Sequence, residues 1–224
     1  LAERNATTGL GWNMEGEDRS DFLIPRVIVH QGDIAEKFYG VHEKGALIDT
    51  STKEELPTKR FVPLTAWKEY IRWGENLGDP PVYSTRNRAD VPDADLQWTG
   101  DEPPACTTFR NFAVLFDGMP MPMVLSLSDA KKPQRNAGKL LNQLEKQRAA
   151  TGKGRGLYEV QIVDCENKKG KWKDMGIQPV GNPTAELAEA AATWIAAISG
   201  AELRTNVVES EAAVSQADDF NPDA

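Results

Sequence analysis

This 224-residue sequence predicts a mainly β fold with an internal helix, a C-terminal helix and a disordered acidic tail. Short runs rich in β-branched and aromatic residues recur along the first 130 residues, separated by turn-forming segments. The two segments read as helices both lie late in the chain. Nothing alternates strand with helix in the way a parallel sheet requires.

Taken in order, residues 1–20 are polar, Gly-containing and aperiodic, and read as a mobile arm. The run from Phe22 to His30 reads as a strand in which Pro25 marks an edge or a bulge. Gly45 to Thr50 is a short strand candidate. Arg60 to Trp73 is the longest one. Alternation along it places Lys68, Tyr70 and Arg72 on one face, and Trp67, Ile71 and Trp73 on the other. A helix over Thr65–Trp73 competes, because Trp67, Tyr70 and Ile71 also fit helical spacing; the aromatic and β-branched content favours the strand.

The five prolines between Gly74 and Pro104 predict a long loop. Phe109–Phe116 and Met121–Leu127 read as strands around an Asp117-Gly118 turn. Ala137, Leu140, Leu141 and Leu144 then form the apolar stripe of a helix over 134–149. Leu157–Glu166 and Lys171–Val180 form a hairpin turned at 167–170. A last helix spans Pro183–Ile198, with Asn182 as its expected N-cap. A helix set between the third and fourth strands is the plan of the five-stranded Greek-key barrel known as the OB fold. The sequence therefore divides into the arm, an OB-fold-like domain over 21–200, and a disordered tail over 201–224.

Several function classes find no support. There is no apolar run of the roughly 20 residues needed to cross a bilayer, and no signal-peptide pattern. Cys106 and Cys165 are two isolated thiols, which fits a reducing, cytoplasmic setting. The spacings of Cys106, Cys165, His30 and His42 match no zinc pattern. No nucleophile elbow, zinc-protease helix or Walker A loop is present, so we expect no enzyme and no cofactor. Asp90, Asp93 and Asp95 lie close in sequence; they read as a solvated acidic loop, with a metal-dependent nuclease as the lesser alternative.

Charge is unevenly placed. The whole chain carries −8, yet residues 131–173 hold twelve Lys/Arg against four Asp/Glu. Residues 206–224 hold five acids, no Lys or Arg, and one late aromatic, Phe220. A basic zone inside an acidic protein points to a polyanion partner. The expected phosphate contacts are Lys68, Arg72, Arg110, Lys132, Arg135, Lys139, Lys153, Arg155 and Lys171. Tyr70, Phe112 and Trp172 are the expected stacking surfaces, with core burial as the competing use of each. In the tail, Asp218, Asp219 and Phe220 read as a partner-recruiting tip, with an ordinary disordered terminus as the competing reading.

Three stretches carry a family resemblance: Asp21-Phe-Leu-Ile-Pro-Arg26; Phe61-Val-Pro-Leu64 with Trp67, Lys68, Tyr70 and Trp73; and Cys106 through Asn111-Phe-Ala-Val-Leu115. Val124-Leu-Ser126 and the lysine-bearing helix after it fit as well. The chain resembles the phage single-stranded DNA-binding proteins with an OB fold. The resemblance implies sequence-independent binding of single-stranded DNA in phage replication or recombination, within the host cytoplasm. Replication or recombination proteins would dock on the acidic tail, although Phe220 is followed by four more residues, unlike the usual terminal aromatic. A phage accessory module that binds other proteins is the alternative reading, and oligomeric state stays open.

Overall fold

The computed structural model describes residues 24–74, 80–100, 104–128, 136–167 and 170–199. Among these, eight strands form one curled, half-barrel sheet. They are β1 (Arg26–Val29), β2 (Leu47–Asp49), β3 (Arg60–Arg72), β4 (Tyr83–Thr85), β5 (Cys106–Phe116), β6 (Met123–Ser128), β7 (Leu157–Asn167) and β8 (Gly170–Gly181). Three α-helices accompany them: α1 (Asp33–Tyr39), α2 (Ala137–Ala150) and α3 (Ala185–Ile198).

The sheet runs β2-β1-β6-β5-β3-β7-β8, with β4 on the far end of β3. Five of these strands, in chain order β3, β5, β6, β7 and β8, make the predicted barrel, and α2 stands between the third and fourth. β1, β2 and β4 are additions to it. β1 runs parallel to β6, with Arg26 opposite Val124 and Val27 opposite Leu125.

β3 is a strand throughout, which settles the helix alternative over Thr65–Trp73. Its register against β5 shifts between Pro63 and Thr65, so Leu64 is an extra residue. Pro63 has no N–H to give a ladder, and the bulge bends the strand where it starts to curl. β5 pairs along one edge of β3 from Phe61 to Arg72, and β7 pairs along the other at Arg60 and Phe61.

β1 and β8 meet through a side chain instead of a ladder. The Gln31 amide donates to the Lys173 carbonyl at 2.7 Å and accepts the Lys173 N–H at 2.9 Å. It stands in for one peptide unit of a neighbouring strand.

Alternation divides the sheet into two faces. The inner face buries Phe61, Phe112, Val114, Phe116, Leu125, Tyr158, Val160 and Ile177 against Leu141 of α2. The outer face buries Val62, Leu64, Ala113, Leu115 and Val124 under Leu187, Ala191 and Ile198 of α3. Farther along the outer face, the buried Glu69 of β3 gathers polar groups from three other strands. It accepts from Asn111 Nδ2 and Ser84 Oγ, and it faces Arg26 at 3.7 Å. A buried carboxylate is tolerated only when so partnered.

A second buried carboxylate, Glu145, fixes α2 to the barrel. It accepts from the Tyr158 hydroxyl at 2.7 Å, the Gly156 N–H at 3.0 Å and Arg155 at 3.1 Å. Burial, together with this bond to Glu145, pushes the Tyr158 hydroxyl above the usual tyrosine range. α3 is capped by Thr184, whose hydroxyl accepts the Leu187 N–H, and not by the predicted Asn182. The Asn182 side chain instead accepts from Arg148 at 2.7 Å.

Candidate nucleic-acid interface

The strand registers bring distant basic residues to one rim of the half-barrel. Lys68 of β3 stands directly opposite Arg110 of β5, and Arg110 opposite Leu127 of β6. β1 ends at Val29, two residues beyond the partner of Leu125, so it stops at this same level. Two residues farther, Gln31 holds Lys173 of β8. The rim therefore passes through β3, β5, β6, β1 and β8.

These cations also share a face. Arg110 alternates in phase with Phe112 and Val114, which point into the core, and its partner Lys68 follows. Lys171 and Lys173 are in phase with Met175 and Ile177, again the inner face. Lys44, in the loop after α1, reaches the Lys171 carbonyl at 3.5 Å. Gly45 beside it has φ +100°, and a Cβ there would stand 3.1 Å from Ile162 and 3.8 Å from the Lys173 stem, so this loop lies against the β7–β8 hairpin.

Acids temper the rim. Lys173 pairs with Asp164 at 2.6 Å and Lys171 with Glu166 at 3.5 Å, both cross-strand neighbours. Asp164 is held below the usual carboxylate range by the Lys173 hydrogen bond and charge, with smaller pulls from Lys44 and Lys171.

Not every expected contact joins this rim. Phe112 is only 2% exposed in the inner core and offers no face to a base. Tyr70 is buried with Val91 and Cys106 beneath the segment 83–96. Arg72, at the end of the same face, donates from Nη1 to both Asp95 carboxylate oxygens at 3.0 Å. Trp172 lies between Lys171 and Lys173 in sequence, yet alternation turns it to the outer face, away from both. Lys153 and Arg155 belong to the loop before β7, at the opposite end, where Tyr158 pairs with Phe61. Lys153 is exposed there, whereas Arg155 is tied to Glu145 and to the Leu64 carbonyl at 2.9 Å. Lys139 is exposed in the first turn of α2. Lys132, Arg135 and the tail residues Asp218, Asp219 and Phe220 lie outside the described residues.

The segment predicted as a plain loop after Gly74 is partly ordered by its own polar bonds. It contains β4 and two 3₁₀ turns, Arg88–Asp90 and Asp93–Leu96. Asp90 accepts from Thr85 and Asn87, Asp93 from Arg88, and Asp95 from Arg72 and Tyr83. The three acids are spent in separate bonds, and no three His, Cys, Asp or Glu converge for a metal among the described residues. Cys106 and Cys165 form no disulfide. No described helix is long and apolar enough to cross a membrane.

A model of a protein family described as Pam3 phage gp34-like protein matches residues 2–204. Searches of curated proteins and of solved structures find no match.

Proposed function

The chain belongs to the Pam3 phage gp34-like family and is a phage protein; from that premise we propose that it binds single-stranded DNA along the basic rim of its half-barrel. One observation carries the reading: Lys68, Arg110, Lys171 and Lys173, far apart in sequence, share the inner face at one rim of an OB-type strand order. In OB folds the face of the second and third strands, with the loops joining strands one to two and four to five, takes oligonucleotides. Here those strands are β5 and β6, which carry Arg110 and its partner Leu127 at this rim, and the β3–β5 and β7–β8 connections correspond to the two loops in chain order. Lys68, Arg110, Lys171 and Lys173 contact phosphates, with Lys44 beside them. The partners are single-stranded DNA and, through the acidic tail, proteins of phage replication or recombination.

The test is a tryptophan-fluorescence titration with oligo-dT, run at increasing salt. Each neutralised phosphate on a single strand contributes a slope near −0.7, so four contacts weaken binding by about 50-fold between 50 and 200 mM salt. A chain lacking residues 212–224 should bind more tightly at low salt, because the acidic tail competes for the same cations. No binding at low salt would remove the proposal and leave the protein-interaction reading.

A further inference from the structure

We propose that Trp98 is the principal base-stacking surface of this interface; the inference rests on the single-strand reading above. Trp98 is 54% exposed, unlike Tyr70, Phe112 and Trp172. Its exposure is set against unusual local order. Three residues before it, Asp95 is clamped by Arg72 and by the Tyr83 hydroxyl at 2.9 Å. Two residues before it, Leu96 packs with Tyr83 on the buried Tyr70, Val91 and Cys106. Ser84 of the same segment bonds Glu69 at 2.8 Å, which ties it to β3 as well.

The braced segment stands on the face that carries the cations. Tyr70 and Arg72 follow Lys68 on β3 at strand spacing of two, and Thr108 and Cys106 precede Arg110 on β5 in the same phase. The clamp therefore fixes the chain two and three residues before Trp98 at the Arg72–Cys106 end of the strand pair that carries Lys68 and Arg110. An exposed aromatic ring on a segment braced against the strand pair that carries two cations has the makeup of a single-strand platform: cations follow the backbone while the aromatic face takes a base. Burying Trp98 against a base also removes its exposed apolar area from water. Asp95 acts as a positioning residue for the ring.

The experiment compares wild-type protein with Trp98→Ala and Trp98→Phe, using end-labelled oligo-dT and an abasic strand of equal length. Trp98→Ala should weaken oligo-dT binding by about 5- to 150-fold, the range for loss of one stacked base. Trp98→Phe should recover most of that loss. On the abasic strand all three proteins should bind alike. Asp95→Ala should weaken oligo-dT binding in the wild-type background but add little to Trp98→Ala, a non-additivity that loss of fold alone does not give. If wild-type protein fails to bind either strand, the single-strand reading itself falls. If wild-type protein binds and Trp98→Ala binds equally well, or weakens equally on both strands, the stacking role is overturned.

Discussion

Gly156→Ala should destabilise the domain, and the reason is visible around Tyr158. A Cβ at position 156 would stand 2.8 Å from Tyr158 Cε2, Cζ and Oη, well inside ordinary van der Waals separation. The ring cannot easily withdraw. It is buried in the inner core, its centroid 6.0 Å from that of Phe61, and its hydroxyl donates to Glu145 at 2.7 Å. Keeping the ring in place costs about 1–3 kcal/mol of overpacking. Moving it gives up a hydrogen bond to a buried carboxylate, a similar roughly 1.5–3 kcal/mol. Alanine restricts the unfolded chain and returns about 0.4–1 kcal/mol. The expected net loss is about 1–2 kcal/mol, or a fall in Tm of roughly 2–8 °C for a domain of this size. Thermal unfolding followed by circular dichroism measures it. In a Tyr158→Leu background the clash is absent, so Gly156→Ala should cost nothing further. Equal losses in both backgrounds, or an unchanged Tm in the first, would refute the steric argument.

Two further predictions concern ionisation. Burial raises the hydroxyls of Tyr158 and Tyr83 above the ordinary tyrosine range, each with an added push from a neighbouring acidic group. The folded state then keeps protons that the unfolded chain gives up near pH 10, so stability is full below pH 10 and declines as pH rises beyond it. Denaturant midpoints across pH 8–11 check this, and Tyr158→Phe should flatten the decline. Asp164 is held low by Lys173. Its contribution is present above the ordinary carboxylate range and is lost as pH falls through its depressed value. NMR titration should find its midpoint below that of an unpaired aspartate, and Lys173→Ala should return it upward.

Strand alternation was legible from the sequence, and coverage was not. Lys68, Tyr70 and Arg72 do share a face, as the spacing of two requires. What hides Tyr70 is the 83–96 segment, whose order comes from side-chain bonds such as Arg72–Asp95 and Tyr83–Asp95. Such bonds leave no periodic trace, so the segment reads as a proline-rich loop and Trp98 draws no notice. Trp172 shows the reverse error. Its flanking lysines suggested a shared surface, although adjacent strand residues point to opposite faces. The compositional basic zone likewise folds into separate places, because Lys153 and Arg155 precede β7 at one end while Lys171 and Lys173 lie at the other. The hairpin, the internal helix and the C-terminal helix were readable because each carries a local period. α1 lacks an apolar stripe of comparable length and was missed.

The Gln31–Lys173 junction bears on how the protein is made. β1 can pair early with β2, since Val27 and Asp49 are close in sequence. Its other neighbour, β6, is synthesised about a hundred residues later, and the carbonyl that Gln31 grips lies 142 residues downstream. During translation the first hairpin therefore waits with one edge open while the barrel strands emerge. The β1–β8 junction forms only when β8 has left the ribosome, and the Gln31 amide makes both of its hydrogen bonds to Lys173.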